Sequence, residues 1–256
     1  MNPLVRPFEL QIRAQGTGLR VVRLAVGGRV RFPTGTDEVL VLPLTGGCDV
    51  ACDDERMTLT GRRSVFSRVT DFAYLPRGTT VTLRAPNGGR FALPAARAGR
   101  DLPFRYGAAE DVPVEVSGYQ VNNLCTPGSF ETGRLIAREI LIPEGTTAGG
   151  TTVGGTATGG TATGGTAAGE TAAGQTATGG TTGEGMAEDG DGRAGEEVRY
   201  FEVAGGNGCG YQWVSGRRIE VRTGDVMLIP PGGPGPSSAV PGHDLYHLTV
   251  SMSETR

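Results

Sequence analysis

Short apolar runs, broken every few positions by Gly, Pro or Asn, set the pattern of this chain. LRVVRLAVGG, VRFPTG, EVLVLPLTGG, VTLRAP and RFALP fall in the first half. RLIAREILIP, VRYFEVAGG, RIEVRTGDVMLIP and DLYHLTVSM fall in the second. The runs are rich in Val, Leu and aromatic residues, and almost no stretch keeps the helical period for a useful length. This predicts an all-β chain of short strands, a sandwich or barrel.

The two halves repeat one another. Glu38 is followed by VLVLPLT and Gly46-Gly47, and Glu197 by VRYFEVA and Gly205-Gly206 at the same distance. Further on, Thr70-Asp71-FAYL-Pro76-Arg77-Gly78 matches Gly224-Asp225-VMLI-Pro230-Pro231-Gly232. Two signatures in the same order predict two copies of one barrel. The expected boundaries are 1–118 for a structural first barrel, 119–145 for the start of the second, and 196–256 for its remainder. GGNGCG between two strands reads as a hairpin turn, and Asp71 and Asp225 read as turn caps.

Between them lies a low-complexity insertion at 146–195, where Thr146 to Gly185 dissolves into Gly/Thr/Ala pentads such as TATGG and TAAGE and the charged stretch MAEDGDGRAG follows. With no large apolar side chain, such a run cannot offset its ordering entropy, so a disordered insertion is expected instead of a solenoid.

Composition narrows the chemistry. The 256 residues carry a net charge of −3 with no long block of like charge, which argues against nucleic acid. Every basic residue is Arg, and the absence of Lys excludes Schiff-base chemistry and the phosphate-loop lysine. Four scattered Cys make neither a disulfide scaffold nor a zinc site and read as buried thiols. The charged start MNPLVRPFELQIR and the lack of a long apolar segment predict a cytoplasmic protein with no membrane partner.

A Glu opening a strand that ends in Gly, followed by a Gly-Asp strand ending in Pro-x-Gly, resembles the cupin signature. More narrowly, TGTDEVLVLPLTGGCDVACD, SVFSRVTDFAYLPRG, GGRFALPAARAGRDLPFRYG, QVNNLCTPGSFETGRLIAREIL, YFEVAGGNGCGYQ and EVRTGDVMLIPPGGPGPSSAVPGHDLY are similar to the 5-deoxy-glucuronate isomerase family. The resemblance implies a bicupin, two cupin-type barrels in one chain. It also implies a sugar-acid substrate, a divalent metal (zinc or manganese), and aldose–ketose isomerisation in myo-inositol breakdown. In that chemistry a proton moves between neighbouring carbons while the metal polarises the carbonyl. Exposed barrel faces add a possible homo-oligomer.

The resemblance also implies a ligand set of two His in a His-x-His segment, one Glu, and one His in a Pro-x-Gly-x-His turn. Here the Gly/Thr pentads occupy the place of the first segment, and Pro234 stands at the last position. Glu197 is the one family ligand left; Glu38 is its first-half counterpart, and Thr80 is that of Pro234. One carboxylate holds zinc too weakly against solvent, so metal binding here is not expected, and a non-catalytic bicupin that binds a sugar acid or a protein is the competing reading.

Of the two His, His243 reads as an exposed turn residue. His247 shares a strand face with Leu245 and Thr249 and either approaches Glu197 as a substitute ligand or is a half-buried His bonded to backbone. Arg105, with Asn122 and Asn123, is a substrate-binding candidate. Its guanidinium would clasp a carboxylate bidentately or pair with an acid between the barrels.

Overall fold

The computed structural model describes residues 8–149 and 196–253. The pentad insertion lies almost wholly outside them. Among the described residues there is no α-helix, only a short turn of 3-10 helix at Ala109–Asp111. No helix there is long and apolar enough to cross a membrane.

The first half contributes β1 (Phe8–Arg13), β2 (Thr17–Leu24), β3 (Gly28–Pro33), β4 (Asp37–Cys52), β5 (Glu55–Arg62), β6 (Phe72–Leu75), β7 (Thr80–Ala85), β8 (Gly89–Arg97) and β9 (Arg105–Gly107). They form one bent sheet in the order β1-β2-β8-β4-β6-β9, with β5 and β7 also on β4 and β3 on β7. The bend lies in β4. Its first part pairs with β8 and β6, and its last part with β5 and β7. Gly46 and Gly47 sit where it crosses over, between register shifts at Pro43/Thr45 and Gly46/Cys48. A Cβ on Gly47 would lie 2.5 Å from the Leu59 carbonyl oxygen, so the crossing needs glycine.

The second half repeats the scheme with the long strand cut in two. Its strands are β10 (Val114–Val116), β11 (Gln120–Cys125), β12 (Leu135–Ile142), β13 (Thr147–Ala148), β14 (Glu197–Val203), β15 (Gly210–Val214), β16 (Arg217–Val221), β17 (Val226–Ile229), β18 (Pro234–Ala239) and β19 (Leu245–Met252). One sheet runs β10-β11-β12-β19-β14-β17 and the other β13-β18-β15-β16. Thus β14 takes the partners of the first part of β4, and β15 those of the last part. GGNGCG is therefore not a hairpin turn: it carries the chain from one sheet to the other, because β14 pairs with β17 and β19 while β15 pairs with β16 and β18.

Each barrel has its own apolar filling. Val39, Val41, Phe91 and Leu93 belong to the first, and Ile140, Phe201, Val203 and Leu245 to the second. A third core joins them, where Leu40, Leu42 and Leu44 of β4 pack with Val198, Tyr200 and Tyr246 of the second half. Alternation explains the division: in the first part of β4 the odd positions Val39 and Val41 point into the barrel and the even ones Leu40, Leu42 and Leu44 into the junction, while beyond the glycine crossing the even positions Cys48, Val50 and Cys52 enter the barrel.

Candidate functional site

The equal spacing of Glu38 and Glu197 is misleading. Val39 pairs with Leu75 as Glu197 pairs with Ile229, and Leu75 and Ile229 hold the same place after Asp71 and Asp225. Glu197 therefore corresponds to Val39, not to Glu38. A one-residue slip turns a side chain to the opposite face, so Glu197 lies on the barrel-facing side of its strand and Glu38 faces the junction.

In the junction Glu38 has a structural task. Its carboxylate accepts the backbone N–H groups of Gly133 (2.6 Å), Arg134 (2.5 Å) and Leu135 (2.8 Å) and the Tyr74 hydroxyl (2.7 Å), tying the first half to the start of β12. Asp71, read as a turn cap, instead accepts the N–H groups of Thr60 and Gly61 at the end of β5, whereas Asp225 accepts that of Arg222 and fixes its own turn.

In the second barrel, Glu197 and Arg199 are two apart on β14 and share its inner face. The Arg199 guanidinium is bonded through Nε to the Glu197 carboxylate. Its Nη1 donates to Gln212 Oε1 at 2.7 Å and to Ser237 Oγ at 3.4 Å. Arg199 is only 1% exposed, and its Nη2 has no acceptor among the described residues. Ser237 donates to the same Gln212 oxygen at 2.5 Å, while Gln212 Nε2 donates to the carbonyls of Trp213 and Gly235.

His247 lies opposite Phe201 in the β14–β19 ladder, with the two rings 5.6 Å apart. It is buried, and its Nδ1 is 3.3 Å from the Thr249 hydroxyl. Its polar partner is thus a side chain, not backbone. Burial, and then the charge of Arg199, hold its pKa well below the ordinary imidazole value, so the ring is neutral. His243, expected to be an exposed turn residue, is half-buried, with Nδ1 2.9 Å from the Ala204 carbonyl. It fills the space left by Gly208, where a Cβ would lie 2.5 Å from its ring.

The proposed substrate residues sit elsewhere. Asn122 donates to Glu139 at 3.0 Å and accepts from Gln120, and Asn123 donates to Glu115 at 2.7 Å. Arg105 bonds to the Glu131 backbone carbonyl, lies 3.4 Å from the Glu131 carboxylate, and covers the Phe130 ring at 4.7 Å. An open cavity of about 410 Å³ lies beside Glu131, bordered also by Arg100, Arg134 and Ser253. Among the described residues, none of the hydrogen bonds or ion pairs of these three candidates reaches Glu197 or His247.

A zinc or manganese ion does not fit the donors of the second barrel. No group of three or more His, Cys, Asp or Glu suited to a metal is found among the described residues. The acid that would bind one is already bonded to a guanidinium. Sequence reasoning missed Arg199, Gln212 and Ser237. The signal for the first was available: an Arg two residues after Glu197, in a strand whose other positions are mostly apolar.

The KduI/IolB family model matches residues 7–149 and 187–256 of the chain. A 5-deoxy-glucuronate isomerase of Geobacillus kaustophilus (strain HTA426) is 24% identical over 252 residues, covering 93% of this chain and 80% of its own. Among solved structures, an IolB-like protein from Salmonella typhimurium LT2 superposes with a TM-score of 0.74 at 20% identity, covering 97% of this chain and 89% of its own. A mutant of Bacillus subtilis oxalate decarboxylase superposes with a TM-score of 0.60 at 12% identity, over 96% and 72% of the two chains.

Proposed function

Since this chain belongs to the KduI/IolB family, we propose that it is a non-catalytic bicupin, which keeps the family frame and sugar-acid recognition but not metal-assisted isomerisation. The observation that carries this reading is the bond between Glu197 and Arg199. An aldose–ketose isomerisation needs a group that takes up a proton from one carbon and an electrophile at the neighbouring carbonyl. Glu197 is committed to a guanidinium carried on its own strand, and His247 is enclosed between Phe201 and Thr249. The sugar acid enters the proposal through the isomerase of Geobacillus kaustophilus.

The second reading, an active isomerase, is favoured by the extent of the family match. Turnover of 5-deoxy-glucuronate by the purified full chain separates the two. It is measured with added Zn²⁺ or Mn²⁺ and again with a chelator, beside a calorimetric titration of the same compound. Binding without turnover is the expected result. Turnover that a chelator abolishes would overturn the proposal, and absence of binding would remove the sugar acid from it.

A further inference from the structure

The interior of the second barrel carries a charge of its own. Three oxygen acceptors from three strands converge on one buried guanidinium: Glu197 of β14, Gln212 of β15 and Ser237 of β18. Gln212 has no freedom to turn its amide around. Its Nε2 is held by the carbonyls of Trp213 at 2.7 Å and Gly235 at 3.0 Å, so its oxygen is forced toward Arg199. An oxygen cage fixed in this sense is built for a cation.

We infer that the Arg199 guanidinium is a tethered cation that takes the place of a divalent ion in this barrel, leaving the site metal-independent. This rests on the reading of Glu197 as the remaining counterpart of a metal-binding carboxylate. Arg199 neutralises Glu197 within the same strand. A divalent ion would have to displace the guanidinium from its only anionic partner among the described contacts and then share a buried space with it. In a medium of low dielectric constant, both steps oppose metal entry.

The test measures metal content and melting temperature on the full chain, expressed with added zinc and passed over a chelating resin. Zinc and manganese well below one ion per chain, and a melting temperature unmoved by Zn²⁺, Mn²⁺ or chelator, are expected. Stoichiometric metal that survives the resin would overturn the inference.

Charge compensation is tested separately. Arg199→Met keeps most of the volume and leaves Glu197 unpaired, so melting should fall by on the order of 10 °C. Combining it with Glu197→Gln should restore most of that loss. If Arg199→Met alone does not fold, a double variant that melts cooperatively supports the inference. A double variant as damaged as the single one overturns it. Turnover without metal would overturn the proposed function and leave this inference standing. Tight metal in an inactive protein would do the reverse.

Discussion

Arg62 and Glu139, 77 residues apart in the chain, form an ion pair across the two halves with both side chains at 0% exposure. Burial opposes the Arg62 charge, but Glu139 and then Tyr246 outweigh it and hold its pKa above the ordinary value. Glu139 also accepts from Tyr246 (2.8 Å) and Asn122 (3.0 Å), while Arg62 Nε donates to the Pro43 carbonyl (3.0 Å). Replacing Glu139 by Ala strands a buried cation and two donors and is expected to cost about 3–5 kcal/mol in urea unfolding. The double replacement Arg62→Met with Glu139→Leu should cost much less, because it removes both desolvated charges together.

Glu38 offers a more local test. Glu38→Gln puts an NH₂ group against backbone N–H donors where a carboxylate oxygen accepted them. A loss of about 1–3 kcal/mol is expected. Hydrogen exchange should accelerate at Gly133, Arg134 and Leu135 ahead of the remaining β12 amides, and unchanged exchange there would contradict the assignment.

The thiols differ in access. Burial, and then Asp49 and Asp71, push Cys48 up to about 12, and burial raises Cys125 well above the ordinary thiol value. Cys52 is buried and also raised, chiefly by burial, whereas Cys209 is partly exposed. Since the thiolate is the reactive form, a disulfide reagent at pH 8 should titrate Cys209 quickly in the native protein. All four thiols should react only after denaturation.

The same burial sets an alkaline limit. Cys48, Tyr74, Tyr200 and Tyr246 all have raised pKa values, each chiefly from burial. In the unfolded chain these groups lose protons near their ordinary values of 9.0 and 10.0, while the folded chain retains them. Above those values the unfolded state binds fewer protons, so stability falls as pH rises, by about 1.4 kcal/mol per pH unit for each group fully engaged. Below pH 8 these four groups add no slope. Thermal melts from pH 7 to 11 should show a plateau and then a decline.

Much of this architecture was legible in the chain. The all-β class and the two-fold repetition followed from the short apolar runs and from the recurrence of the Glu38/Gly46-Gly47 and Asp71 signatures at Glu197/Gly205-Gly206 and Asp225, whereas GGNGCG reads as a hairpin and is a crossing, because its two strands pair with different partners. Strand alternation was harder to read, because β4 and β14 are buried on both faces and their apolar runs do not reveal which side Glu38 or Glu197 takes. Only the ladder with β6 and β17 separates them. The partners of Asn122 and Arg105 are equally invisible in sequence, since Glu139 and Glu131 reach them through tertiary packing.

The order of strands in the six-stranded sheet has a practical consequence. β19 lies between β12 and β14, and β13 is zipped to β18, so the segments before Gly149 and after Glu196 are interlaced by backbone hydrogen bonds. The covalent link between them is not what holds them in register. The protein is a natural candidate for a split pair: residues 1–149 and 196–256, produced as separate polypeptides, have the pairing surfaces to reconstitute one another, and new chain ends placed there would leave every one of those ladders intact.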